Sequence, residues 1–271
     1  MFGRFGPRYA TSRNVTFQED TVLKTVDPRF AEVEVRVTQA AYDLARKSEL
    51  FNVPRILSYD LTAGVIEFER VMEYVTLGHL IARTPGNLEV IQRIGKALAC
   101  IHTQLQLPSC LRIPVDAKWM TSDDDMVPIH GDFNTINVGL DENTNAVTVM
   151  DWASASGLDR KHTVGPVYLD LAHFVYSLFI HQASHINAMM SLKQRTNVFL
   201  DVYQSESGRK IDLSVLADFL LRLNEVLAPG LTERRGVLRC LYYSSICSVG
   251  DIVFDGLARQ WRKDGKSSKA R

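Results

Sequence analysis

Between Pro128 and Trp152 the chain reads PIHGDFNTINVGLDENTNAVTVMDW, with one His, two separated carboxylates and one amide spaced around two short apolar runs. Asp132 and Asn137 precede the first run, Val138 to Leu140, and Asp151 follows the second, Ala146 to Met150. Asp141 to Asn145 is turn chemistry, so the stretch reads as a β-hairpin that returns Asp151 towards the other two. A carboxylate can accept a hydroxyl proton. An amide oxygen with a second carboxylate can hold Mg²⁺, which keeps waters and phosphates as its remaining ligands. That division of labour suits phosphoryl transfer, where catalysis is mostly positioning and neutralisation of phosphate charge. Asp and Asn are also ordinary turn and cap residues. The ordered combination with the hairpin is what argues for more than that.

The order Asp, Asn, then a carboxylate after a hairpin corresponds to the protein-kinase set H-R-D-x-x-x-x-N followed by D-F-G. Gly131 stands in place of the Arg, and Trp152 in place of the Phe. His130-Gly131-Asp132, Asn137 and Asp151-Trp152 together resemble the aminoglycoside phosphotransferase and choline-kinase-like branch of the kinase fold. The resemblance implies an α+β, bilobal, protein-kinase-like fold, with a small antiparallel-sheet N-lobe and a larger, mostly helical C-lobe. It also implies ATP and Mg²⁺ as cofactors. Asp132 would accept or orient the acceptor proton, and Asn137 and Asp151 would hold Mg²⁺.

The elements that must position these groups start with two β-prone runs, Asn14 to Phe17 and Thr21 to Val26, read as a hairpin whose second strand carries Lys24. In the resemblance Lys24 lies on the nucleotide phosphates. Asp27-Pro28 then marks the break before a helix over Phe30 to Lys47. That helix must offer an acidic partner to Lys24. Glu34 is the choice, with Glu32 and Gln39 as competitors. Val53 to Tyr59 and Gly64 to Val71 read as strands, the second running into a hinge at Glu69 to Val71, or alternatively at Met72 to Val75, whose backbone would meet an adenine. The glycine-rich phosphate loop of kinases has no counterpart: only Gly3 and Gly6 precede Lys24.

Leu88, Ile91, Gly95, Leu98, His102 and Leu105 recur at three- and four-residue steps and predict a long helix ending before Pro108. His102 on its apolar face reads as packed or capping rather than catalytic. Leu107 to Val127 is a connection holding Asp123-Asp124-Asp125, read as a solvated loop. Ala153 to Val164 occupies the place of an activation segment. Gly165 to Ala172 resembles the family's G-D-P-x-x-D-L-A passage without its first Asp, which makes Asp170 a brace for the catalytic loop. Leu171, Phe174, Val175, Leu178 and Phe179 form one apolar helix face; Val215 to Leu227 forms another, stopped by Pro229-Gly230; a further helix is expected over Val237 to Trp261. The lobe boundary falls near Gly78 to Asn87, giving an N-terminal nucleotide-binding lobe over 1–80 and a C-terminal helical lobe over 81–271.

The 271 residues allow a sizeable core, and 31 Lys and Arg balance 31 Asp and Glu. Neither disorder nor a polyanion-binding surface is indicated, so nucleic acid is not an expected partner. Cys100, Cys110, Cys240 and Cys247 have no metal or disulfide spacing and read as buried free thiols in a reducing cytoplasm. The N-terminal stretch lacks the apolar core of a signal peptide, and the most apolar segment, Leu169 to Ile180, is too short to span a bilayer. The basic last residues read as a solvated tail. The expected function is ATP-dependent phosphorylation of a hydroxyl on an aminoglycoside-, choline- or sugar-like small molecule. A pseudokinase or nucleotide-binding scaffold is the alternative, and oligomeric state is left open.

Overall fold

A computed structural model describes residues 14–84, 86–120, 126–152, 162–180, 191–233 and 259, with side chains described through 227 in the longest helical stretch. β1 (Val15–Phe17) and β2 (Thr21–Thr25) form the expected hairpin. With β3 (Ile56–Asp60) and β4 (Val65–Glu69) they make an antiparallel sheet of order β1-β2-β4-β3. Lys24 lies mid-strand on β2, opposite Ile66 of β4. β3 starts at Ile56 rather than Val53: Pro54 has no N–H for a ladder, and Asn52 instead bridges to Thr148.

Helix α1 (Pro28–Ser48) is started by Asp27, whose side chain accepts the Arg29 N–H at 3.0 Å, and by Pro28, whose fixed φ suits the first turn. Its buried stripe runs Ala31, Glu34, Val35, Val37, Thr38, Ala41, Leu44 and Ala45. Glu34 is thus an acid set into an apolar face. Glu32, by contrast, pairs with Arg36 one turn on at 2.8 Å, both side chains more than half exposed, and Gln39 bonds Asp43.

The chain leaves the first sheet at Glu69 and enters another at β5 (Tyr74–Thr76), which pairs with β7 (Val138–Asp141). The connection between the two sheets therefore runs over Arg70 to Glu73. β7 and β8 (Val147–Val149) form the hairpin expected around Asp141 to Asn145, and Asn145 takes the left-handed conformation (φ 54°) that closes its turn. Between β5 and β7 the backbones meet so closely at Gly139 that a Cβ would fall 2.2 Å from the Val75 carbonyl oxygen. Gly139→Ala must push β5 away, and overpacking of this kind costs about 2 kcal/mol, read as a lowered urea midpoint at unchanged slope.

Thr76 caps α2 (Leu77–Arg83), and Asn87 caps α3 (Leu88–Gln104), the long helix predicted from its period. β6 (Val127–Pro128) and β9 (Val164–Gly165) make a short pair on either side of the hairpin. α4 (Val167–Ile180), α5 (Leu192–Ser207) and α6 (Leu213–Glu233) follow, with α3 packed on α5 and α4 on α6. Every α4 residue but Tyr168 is buried, rather than one face only, because the helix is central to the helical part and has neighbours all round. α6 does not stop at Pro229-Gly230 but continues to Glu233. A proline removes one ladder bond, and the buried Leu216, Phe219, Leu220 and Leu223 upstream already anchor the helix.

Of the cysteines, Cys100 is buried, and burial pushes its thiol pKa up; Cys110 is exposed, correcting the expectation that it is buried. The expected activation segment up to residue 161, the acidic run 123–125 and the helix over 237–261 lie outside the described residues, Arg259 excepted. Among the described residues no helix is long and apolar enough to cross a membrane.

Candidate active site

β2, α1 and the end of β8 converge on one cation. Lys24 Nζ lies 2.5 Å from Glu34 Oε1 and is also bonded to Asp151 Oδ1, 127 residues away in sequence. Burial by itself would lower the lysine pKa, but the carboxylates of Asp151 and Glu34 outweigh it and hold Lys24 well above its ordinary value. Lys24 is therefore a permanent positive charge in the cleft. Asp151 sits two residues beyond the end of β8 with φ 64°, a left-handed conformation that Asp adopts more readily than most residues. Trp152 behind it is fully buried, donates Nε1–H to the Val149 carbonyl at 3.2 Å and packs on His130 and Phe51. The indole thus fixes where the strand ends and Asp151 begins.

Asp132 is 5% exposed. Asn134 donates to its Oδ1 at 2.7 Å, and Asn137 donates to its Oδ2 and to its backbone oxygen, both at 3.0 Å. These last two atoms can only accept from an amide, so the Asn137 NH₂ must face Asp132 and its carbonyl oxygen must face the other way. The Met150 N–H donates to the Asn137 backbone oxygen at 2.8 Å, which ties the Asn to the residue preceding Asp151.

The loop is braced from behind. Asp170, fully buried on α4, accepts the His130 N–H at 2.7 Å and the Gly131 N–H at 2.8 Å. Gly131 has φ 85°, a conformation few side-chain-bearing residues adopt, so the glycine that replaces the kinase Arg is what lets both N–H groups meet one carboxylate. Burial alone would raise the Asp170 pKa. The hydrogen bond from His102 and the backbone N–H of His130 outweigh it and keep the carboxyl below the usual carboxylate range. His102 Nε2 donates to Asp170 at 3.1 Å while Nδ1 accepts from the Tyr203 hydroxyl at 2.8 Å. His130 in turn gives Nε2–H to the Met150 carbonyl at 2.8 Å and takes the Asp132 N–H on Nδ1 at 3.2 Å. His102 and His130 therefore have their ring nitrogens committed to holding backbone and brace.

The structure thus brings Lys24, Glu34 and Asp151 into contact, and Asp132 and Asn137 likewise. The hinge residues are placed less uniformly. Glu69 ends β4 with its N–H given to Arg55 O at 2.8 Å, and the Arg70 N–H goes to Asp20 O at 3.0 Å. The strand register consumes the Glu69 donor, so it is not available to an adenine. Val71, in the connection between the sheets, makes no backbone hydrogen bond among the described residues. Glu69 to Glu73 also line a cavity of about 490 Å³ with Arg46, Asn52 and Thr148. None of Lys24, Asp132, Asn137 or Asp151 lines it, so it is separate from the chemistry.

Two residues of this site escaped the sequence reading. Asn134 was readable, because an Asn two residues after an Asp on a loop commonly bonds back to it. His173, on α4, has Nδ1 3.3 Å from Asp132 Oδ1. Its one sequence signal is the three-residue step from Asp170, which puts both on one helix face.

Among the described residues no cluster of three His, Cys, Asp or Glu could hold a metal by itself. Mg²⁺ does not require one: one or two protein oxygens plus phosphates and waters suffice. The outward carbonyl oxygen of Asn137 and the carboxylate of Asp151 are hard oxygen donors of that kind, so the residues present fit the ion.

No protein-family model matches the chain, and no curated protein matches it in sequence. Solved structures do match in shape. Choline kinase LicA from Streptococcus pneumoniae superposes with a TM-score of 0.58 at 12% identity, over 89% of this chain and 92% of that one. A choline/ethanolamine kinase family protein from Mesorhizobium loti gives 0.54 at 11% identity, over 90% and 84%. LicA in complex with AMP gives 0.51 at 13% identity, over 85% and 84%. The fold is therefore protein-kinase-like and α+β, in the form these small-molecule kinases share. That agrees in fold with the resemblance carried by His130-Gly131-Asp132, Asn137 and Asp151-Trp152.

Proposed function

We propose that this chain is an ATP-dependent kinase that transfers the γ-phosphate to a hydroxyl of a small molecule. The observation that carries the reading is the contact of Lys24 with both Glu34 and Asp151, three residues distant in sequence, with Asn137 of the Asp132–Asn137 pair bonded to the residue before Asp151. Such a set is costly to bury and has no folding need to be so arranged. Lys24 would grip the nucleotide phosphates, with Glu34 holding its ammonium in place. Asn137 and Asp151 would hold Mg²⁺, which when bound neutralises phosphate charge. Asp132, with its carboxylate anchored by Asn134 and Asn137, would accept or orient the proton of the acceptor hydroxyl. The adenine would meet the backbone at Val71 to Glu73. For the acceptor, the choline and ethanolamine kinases among the structural neighbours make an amino alcohol the first class to try, ahead of aminoglycosides and sugars.

ATP with Mg²⁺ should raise the melting temperature, and ATP with EDTA should raise it much less. Ligand at a hundredfold excess over Kd stabilises by about 2.7 kcal/mol. A ³¹P-monitored screen of choline, ethanolamine, aminoglycosides and sugars should then show loss of the γ-phosphate signal with one acceptor class. Stabilisation without transfer to any acceptor or to water would favour the pseudokinase alternative. No Mg²⁺-dependent stabilisation at all would defeat both.

A further inference from the structure

We propose that His173 is a positioning residue for Asp132, its Nδ1–H holding the carboxylate in the orientation that meets the acceptor hydroxyl. This rests on the reading of Asp132 as the group that orients the acceptor proton. Asn134 and Asn137 reach the carboxylate from its own loop, two and five residues along. His173 reaches it from α4, a helix buried on all sides. The same helix face carries Asp170, which clamps the backbone of His130 and Gly131. One rigid element therefore references both the main chain before Asp132 and its side chain.

The chemistry of the contact selects a tautomer. An ionised carboxylate can only accept, so a bond between Asp132 Oδ1 and His173 Nδ1, 3.3 Å apart, needs the proton on Nδ1. That leaves Nε2 as a bare acceptor. Nε2 is buried, and among the described residues it has no hydrogen-bond partner. A buried polar atom in that state is unfavourable. His173 lies between Ala172 and Phe174 on an apolar helix, where a leucine would fill comparable space without an orphaned nitrogen. Packing alone gives no reason for a histidine there, whereas the carboxylate at Nδ1 does. A 1 Å displacement of a reacting group can cost on the order of a hundredfold in rate, which is the scale of effect such a tether controls.

Two variants of the full chain separate positioning from packing. His173→Leu deletes the donor, and His173→Asn keeps an N–H close to the Nδ1 position. With MgATP and choline, ethanolamine or water as acceptor, His173→Leu should lower kcat by about 10- to 100-fold with KM for ATP within about twofold, and His173→Asn should recover to within about fivefold of wild type. Urea unfolding should find the midpoint of His173→Leu close to that of wild type, since the variant removes the orphaned nitrogen together with the donor to Asp132. Equal kcat in wild type and His173→Leu, or equal losses in both variants, would overturn the inference. An independent readout is the long-range ¹H–¹⁵N spectrum of histidine-labelled protein, in which His173 should carry its proton on Nδ1 and should shift in Asp132→Asn. A proton on Nε2 overturns the contact itself. A wild type that moves phosphate to no acceptor and not to water overturns the reading of Asp132 and the catalytic part of this inference together, while the spectrum still decides whether the two side chains are bonded.

Discussion

Asp132→Ala should lose phosphoryl transfer by about 10²- to 10⁴-fold in kcat, the range typical of a removed general base, while Mg²⁺-dependent stabilisation by ATP stays close to wild type. The separation follows from geometry. Lys24, Glu34 and Asp151 form their cluster without Asp132, and Asn137 holds its place through Met150 as well as through the Asp132 backbone oxygen. The side-chain deletion does release one donor each from Asn134, Asn137 and His173, so some loss of stability, about 1–3 kcal/mol, accompanies it. Rates should therefore be measured well below the melting temperature of the variant. A variant that transfers phosphate at the wild-type rate would remove Asp132 from its proposed role. One that no longer responds to MgATP would show that the carboxylate serves nucleotide binding instead.

Asp170→Asn should be the most damaging change outside the reacting set. Its carboxylate accepts from two backbone N–H groups and from His102, all in a fully buried position. An amide supplies one oxygen in place of two and turns an N–H towards donors. Breaking a buried charged network in this way costs about 3–5 kcal/mol. Urea unfolding measures that directly, and a loss below about 1 kcal/mol would mean the brace is not under load. The sign of the pH dependence is fixed by the lowered folded-state pKa of Asp170. Its contribution is fully present above the ordinary carboxylate pKa and is lost as pH falls through the lower folded value. Wild type should therefore lose stability on acidification into that range, and the difference between wild type and Asp170→Asn should shrink there. A difference that stays constant with pH would show that Asp170 acts through packing rather than charge.

The helix α3 and the hairpin around Asp132 to Asp151 could be read from sequence because each is a local pattern: a three- to four-residue apolar period, or turn residues between two apolar runs. Glu34 could be proposed but not separated from Glu32 and Gln39, since all three lie on one helix and only the packing of α1 tells which face is covered. Trp152 was readable as a substitution at a motif position. Its packing on His130 and Phe51, the latter from a different part of the chain, was not. The pairing of β5 was likewise not readable, because the strand is three residues long and its partner β7 lies far along the chain.

The order and identity of the chemical groups follow from the residues alone: Lys24, the acids of α1, Asp132, Asn137 and Asp151, with Gly131 between His130 and Asp132. Local spacing suffices for that, because motif residues a few positions apart are held by one turn or one hairpin. It took the packed chain to show that Glu34 is the acid on Lys24, that Asp151 shares that cation, that the Glu69 N–H is spent inside the sheet, and that α4 places Asp170 and His173 against the Asp132 loop. Each of these is a contact between elements distant in sequence. Burial and packing select such contacts, and nothing in the spacing of neighbouring residues encodes them.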